Sequence, residues 1–233
     1  MKTKLLAVCA VLAVVMSVSA IASAAITPTL YLYDVNLNTG MRITDNGAGD
    51  SSPLTGAIVF NGSFGNFILN VDTGQVSPPL PLGQQDLSFV ATNNTGTSDT
   101  LEILFIGQGY QGGNVSFNTK LGGTLGGSSI RYVGSADNNN TDCSASQPNI
   151  GNCPVTQNIF NSGNLTTSPF SFTATGSFNA TTPYSLLQFI AITESNGTTT
   201  GDALITIPEP ASMTLLGFGL IGFAGVLRRR FVK

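Results

Sequence analysis

The sequence predicts an all-β protein: a single antiparallel β-sandwich domain, jelly-roll-like or immunoglobulin-like, flanked by two terminal segments of different character. Three observations predict it. Helical periodicity is hard to find between Ala25 and Ile207. Short β-branched and aromatic runs recur there instead, punctuated by Gly, Asn, Asp and Pro. The stretch is also long enough to bury a sizeable core as one domain, and nothing in it suggests a second.

The candidate strands follow in order. LYLYDVNL (30–37) opens the series, and AIVFNGSFGNFILNV reads as a hairpin with arms at 56–60 and 66–72, turning through Asn61 to Gly65. Pro78, Pro79 and Pro81 then break the chain into a short loop. DLSFVATN (86–93) alternates, with Leu87, Phe89 and Ala91 on one face and Ser88 and Thr92 on the other. TLEILFIG (100–107) and YSLLQFIAIT (184–193) are apolar on both sides and are expected at the centre of a sheet with both faces covered. GNVSFNT (113–119), SIRYVGS (129–135), PFSFTATGSF (169–178) and ALITI (203–207) complete the set. The longest irregular stretch, 136–168, is expected as an excursion from the sandwich or a surface flap.

That flap holds two cysteines, Cys143 and Cys153, in DCSASQPNIGNC. In an exported chain an even pair this close reads as a disulfide closing a polar loop, worth roughly 3 kcal/mol by loop entropy. No histidine occurs anywhere, so a Ser-His-Asp or Cys-His nucleophile and a histidine metal site are excluded. The body from Ala25 to Ile207 has three basic residues, Arg42, Lys120 and Arg131, against eleven acidic ones, a net charge of −8. Phosphate backbones need clustered Lys and Arg, so nucleic acid is not an expected partner. Asp45 with Asp50, and Asp137 with Asp142, sit in oxygen-rich loops that Ca²⁺ could use. Neither loop has the EF-hand spacing, and Asp, Asn and Gly are common turn formers, so no metal and no cofactor is expected. Glu102 and Glu194, the glutamates of the body, are the pair a carboxylate mechanism of glycan hydrolysis would need.

The termini carry the sharper signals. Lys2 and Lys4, the apolar run Leu5 to Met16 and the small residues Ala22-Ser23-Ala24 describe a signal peptide over 1–24. At the other end, Ala211 to Leu227 is uncharged, and as a helix it reaches about 25 Å, the short limit for a membrane span. Arg228, Arg229, Arg230 and Lys233 follow and should stay in the cytoplasm. Just before the apolar run, Pro208-Glu209-Pro210 cannot continue a helix and favours an extended, solvated conformation.

Pro-Glu-Pro, a Gly-studded apolar stretch and a terminal arginine cluster, in that order over 208–233, resemble the PEP-CTERM sorting signal of Gram-negative bacteria. A segment of this kind is also known as an ice-binding protein C-terminal domain. The resemblance implies recognition at the inner membrane by exosortase, a membrane-embedded cysteine enzyme that cuts near Pro208-Glu209-Pro210, and an association with exopolysaccharide. The expectation is therefore a non-enzymatic protein, transiently membrane-anchored and then at the cell surface or outside the cell. Its role would be structural or adhesive within exopolysaccharide or biofilm, contacting sugar through exposed Tyr, Asn and Thr groups such as those near Tyr110 and Tyr132. The alternatives are a glycan-active enzyme using Glu102 and Glu194, and an ice- or surface-binding module, for which FTAT (172–175) is a single Thr-x-Thr instance.

Overall fold

The structure is a computed structural model that describes residues 28–74, 83–110, 113–143, 153, 155–181 and 183–208. The signal peptide, the apolar run 211–227, Glu209, Pro210 and Arg228 to Arg230 lie outside the described residues. Among the described residues, no helix is long and apolar enough to cross a membrane.

Twelve strands are described: β1 Thr29–Asp34, β2 Thr39–Thr44, β3 Val59–Phe64, β4 Phe67–Gly74, β5 Gly83–Asn93, β6 Asp99–Tyr110, β7 Asn114–Thr124, β8 Ser129–Asp137, β9 Gln157–Leu165, β10 Phe170–Asn179, β11 Tyr184–Glu194 and β12 Gly197–Ile207. They form two six-stranded antiparallel sheets: sheet A in the order β2-β1-β6-β11-β8-β9, and sheet B in the order β10-β7-β12-β5-β4-β3. Strands β5 to β12 pass between the sheets so that β5-β12-β7-β10 faces β6-β11-β8-β9. This is the double Greek-key order of a jelly roll. The hairpins β1–β2 and β3–β4 extend the two sheets on one side.

The core lies between the sheets. Leu30 and Leu32 of β1, Leu101, Ile103 and Phe105 of β6, and Ile190 and Ile192 of β11 meet Leu69 and Val71 of β4, Leu87 and Phe89 of β5, and Ala203 and Ile205 of β12. The alternation expected for DLSFVATN is what places Leu87, Phe89 and Ala91 inward. As expected from their two-sided apolar pattern, β6 and β11 are central in sheet A. Their outer faces carry a second cluster, Leu104, Ile106 and Leu187 with Tyr31 and Tyr33 of β1. Cys143 and Cys153 pack onto this cluster, and a disulfide joins them with their Cα atoms 5.3 Å apart.

Two expectations are corrected, and one strand is found that the sequence reading did not include. The stretch 136–168 is not irregular throughout, because it contains β9, which pairs with β8 from Ile130↔Leu165 to Ala136↔Gln157. TGMRIT (39–44) forms β2, pairing with all of β1. The hairpin expected over 56–72, formed by β3 and β4, turns later than expected, with Phe64 opposite Phe67 and the turn at Gly65-Asn66, where Gly65 takes a φ of 55° against Asp34.

The antiparallel arrangement sorts the turns between two poles. Pro28 precedes β1 and Pro208 follows β12, and both lie at one pole, here the tail pole. The opposite, far pole carries the β1–β2, β3–β4, β5–β6, β7–β8, β9–β10 and β11–β12 turns.

Candidate functional site

The segment expected to be processed starts from an unusual place. β12 is a central strand, paired with β5 through Ile207↔Gly83 and with β7 through Thr206↔Asn118. Ile205 is fully buried and Ile207 packs against the core over Gly83, where a Cβ would come within 2.5 Å of the Ile207 Cδ1. The next residue, Pro208, is exposed.

The outer face of sheet B is open and mostly polar, with the exposed apolar side chains Ile68 and Val90 also on it. Thr198, Thr200, Asp202, Leu204 and Thr206 of β12 alternate with inward residues and so line this face. On the flanking strands stand Thr92, Ser88 and Asp86 of β5, Asp72 and Asn70 of β4, Asn118, Lys120 and Thr124 of β7, and Thr173 and Thr175 of β10. Hydroxyl pairs bridge neighbouring strands, Thr92 to Thr198 at 2.9 Å and Thr124 to Thr200 at 2.8 Å. Thr173 and Thr175, the Thr-x-Thr instance, oppose Lys120 and Asn118, so no rank of threonines continues across the strands there. Three carboxylates crowd the middle. Partial burial, a hydrogen bond with the Asp202 carboxyl, and the Asp202 and Asp72 charges push Asp86 up to about 6.

The two glutamates do not form a pair. Glu102 follows the parity of Leu104 and Ile106 on the outer face of sheet A, whereas Glu194 follows that of Ile190 and Ile192 on its inner face. Glu194 is fully buried at the far pole, where Oε1 accepts from the Asn93 N–H (3.1 Å) and Oε2 from the Thr199 hydroxyl (2.8 Å). Burial raises its pKa against those two hydrogen bonds. Asp34 and Asp99 are buried nearby, accepting from the Asn66 N–H (2.8 Å) and the Asn66 amide (2.7 Å). These carboxylates tie turns together.

The aspartate loops do the same. Asp50 accepts from the N–H groups of Asn46, Ser52 and Val59, and Asp45 from that of Gly56. Asp137 lies below its usual range: burial alone raises it, but hydroxyls of Thr141 and Thr156 and the N–H groups of Asn139 and Thr141 outweigh that. Asp142 pairs with Arg42, whose Nε donates to the Tyr31 hydroxyl (2.9 Å), and that hydroxyl lies against the Cys143 carbonyl. Among the described residues, no group of three or more acidic or cysteine side chains is arranged to hold a metal ion.

The expectation of exposed sugar-contacting groups near Tyr110 and Tyr132 is corrected as far as the two tyrosines themselves are concerned. Tyr132 is fully buried, its hydroxyl 2.9 Å from that of Thr119 and donating to Gln188 (2.6 Å). Tyr110 is 4% exposed and stacks on Tyr184 at 5.4 Å between ring centroids. A large ring beside a glycine-rich turn looks accessible in a linear sequence, but both rings fill the space between the sheets.

The model of the PEP-CTERM protein-sorting motif matches residues 206–230, so the chain carries that motif. No curated protein matches the chain. Among solved structures, the K3 cleaved adhesin domain of Lys-gingipain from Porphyromonas gingivalis is similar at 11% identity over 53% of this chain and 74% of that one, with a TM-score of 0.37. TmCBM61, solved in complex with beta-1,4-galactotriose, is similar at 10% identity over 69% of this chain and 92% of that one, with a TM-score of 0.35. The CBM22-1 xylan-binding domain of Paenibacillus barcinonensis Xyn10C is 12% identical over 70% of this chain and 90% of that one, with a TM-score of 0.32.

Proposed function

We propose that this chain, an exported protein by virtue of its PEP-CTERM motif, is cut by exosortase near Pro208-Glu209-Pro210 and then serves as a non-enzymatic adhesive module in extracellular polysaccharide. In this reading the signal peptide over 1–24 directs export, the apolar run 211–227 holds the precursor in the inner membrane, and Arg228 to Arg230 keep its end inside. The contact surface is the outer face of sheet B, and the observation that carries it is the chemistry of that face. Hydroxyl and amide groups stand in cross-strand rows over a wide area, and with no aromatic platform among them each sugar contact is weak and repeated. Asp72, Asp86 and Asp202 outnumber Lys120 on the face, which favours an uncharged polymer over an anionic one at neutral pH.

Two measurements test this. Intact mass from the native host is expected to show loss of the leader and of the tail near Pro208; retention of Arg228 to Arg230 in all mature protein overturns the processing reading. For adhesion, isolated matrix polysaccharide should retain the mature protein without being degraded. Combined Asn118→Ala, Thr198→Ala and Thr200→Ala substitution should reduce retention several-fold under conditions where circular dichroism shows the variant folded, the lost hydroxyl pairs lowering its melting temperature only modestly. Retention equal to wild type overturns the assignment of the face.

A further inference from the structure

The motif and the fold lay claim to the same residues. The motif begins at Thr206, yet Thr206 and Ile207 are the last two residues of a central strand. Thr206 is held between Asn118 and Gln84, and Ile207 packs inward over Gly83. Only Pro208, Glu209 and Pro210 separate Ile207 from the apolar run that begins at Ala211. Fully extended, three residues reach about 10 Å, no more than the spacing between two packed sheets. Pro28 emerges at the same pole, close behind the expected end of the signal peptide at Ala24. The tail pole is thus the one from which both membrane-directed segments leave. A fully seated β12 leaves an enzyme working on Pro208-Glu209-Pro210 almost no room between folded protein and bilayer.

We infer that β12 restrains its own processing signal: cutting requires the Thr206–Ile207 end of the strand to leave sheet B, so strand fraying sets the rate of maturation. This rests on the processing reading above. The geometry makes fraying feasible, because Thr206 and Ile207 are half-buried whereas Ala203 and Ile205 are fully buried. Departure of two terminal residues therefore spares the centre of the core.

The test follows processing of the full-length chain in its native host by pulse-chase, with two changes made separately. A six-residue Gly/Ser spacer between Ile207 and Pro208 lies outside the sheet and should speed cutting several-fold. A cross-strand disulfide, T206C with Q84C, should hold the strand end and slow cutting several-fold relative to T206C alone, with recovery on reduction. A spacer that leaves the rate unchanged, or a closed clamp cut as fast as its control, overturns the inference. A wild-type chain that is never cut removes the processing reading itself, whereas a wild-type chain cut at a rate indifferent to spacer and clamp removes only this one.

Discussion

Asp86 holds its proton to a higher pH than an ordinary aspartate because it is partly buried and its neighbours on β12 and β4 are also acidic. Its pKa is about 6 in the folded protein and about 4 in the unfolded chain. Between those values the folded state binds more protons, so wild-type stability falls as pH rises through the window. Asp86→Asn removes that dependence. Thermal melts should show the variant more stable at pH 7.5 by about 1 kcal/mol, after allowing for solvent screening of a half-exposed group, and no gain at pH 4. Asn93 is a contrasting residue, fully buried and bonded to Glu194, Thr95 and Thr97. Asn93→Ala keeps the N–H that donates to the Glu194 carboxylate but removes the amide that donates to the Glu194 and Thr97 carbonyls, and should cost about 2 kcal/mol in denaturant unfolding. At this scale the sequence was legible for Asp50 and Asp137, which bind donors in their own turns, and for the cysteine pair, but not for Asp142, whose partner Arg42 lies on distant β2. It was not legible for Tyr110 and Tyr132, whose burial depends on strands distant in sequence.

Strands with a clear apolar face were visible before folding was considered; β2 and β9 were not. TGMRIT buries only Ile43, and QNIFNSGNL only Phe160. Both are edge strands, held by backbone pairing to β1 and β8 rather than by a hydrophobic stripe, so periodicity had little to register. Packing against β9 is nonetheless close, because a Cβ on Gly134 would lie within 1.9 Å of the Phe160 ring. Gly134→Val should therefore displace β9 and cost about 2 kcal/mol or more by thermal unfolding, with Phe160→Ala in the same chain recovering part of the loss. The disulfide acts on the opposite side of sheet A, where Cys143 caps the Tyr31, Leu104 and Leu187 cluster. Replacing both cysteines by serine should lower stability by about 3 kcal/mol, read from the denaturant midpoint.

The molecule as a whole combines a body of net charge −8 with polar groups over one broad sheet. Because β12 ends at Ile207, a chain terminated there should melt at the temperature of the full-length protein while losing the membrane attachment proposed for the tail. A lowered melting temperature would show that residues beyond Ile207 help hold the sandwich. The architecture was legible as strands, spacing and covered centre, but the jelly-roll order emerged only from the pairing of strands far apart in the chain, such as β5 with β12.

The position of β12 also bears on the timing of assembly. Among the described strands it alone bridges β5 and β7, so sheet B stays split into two leaves until Gly197 to Ile207 have crossed the membrane. A chain threaded amino end first delivers this keystone last, when the residues still within the translocation channel are those of the tail. If the tail is held in the membrane as proposed above, the body locks shut only as that tail arrives there, and a pause in translocation before that point would leave sheet B unclosed.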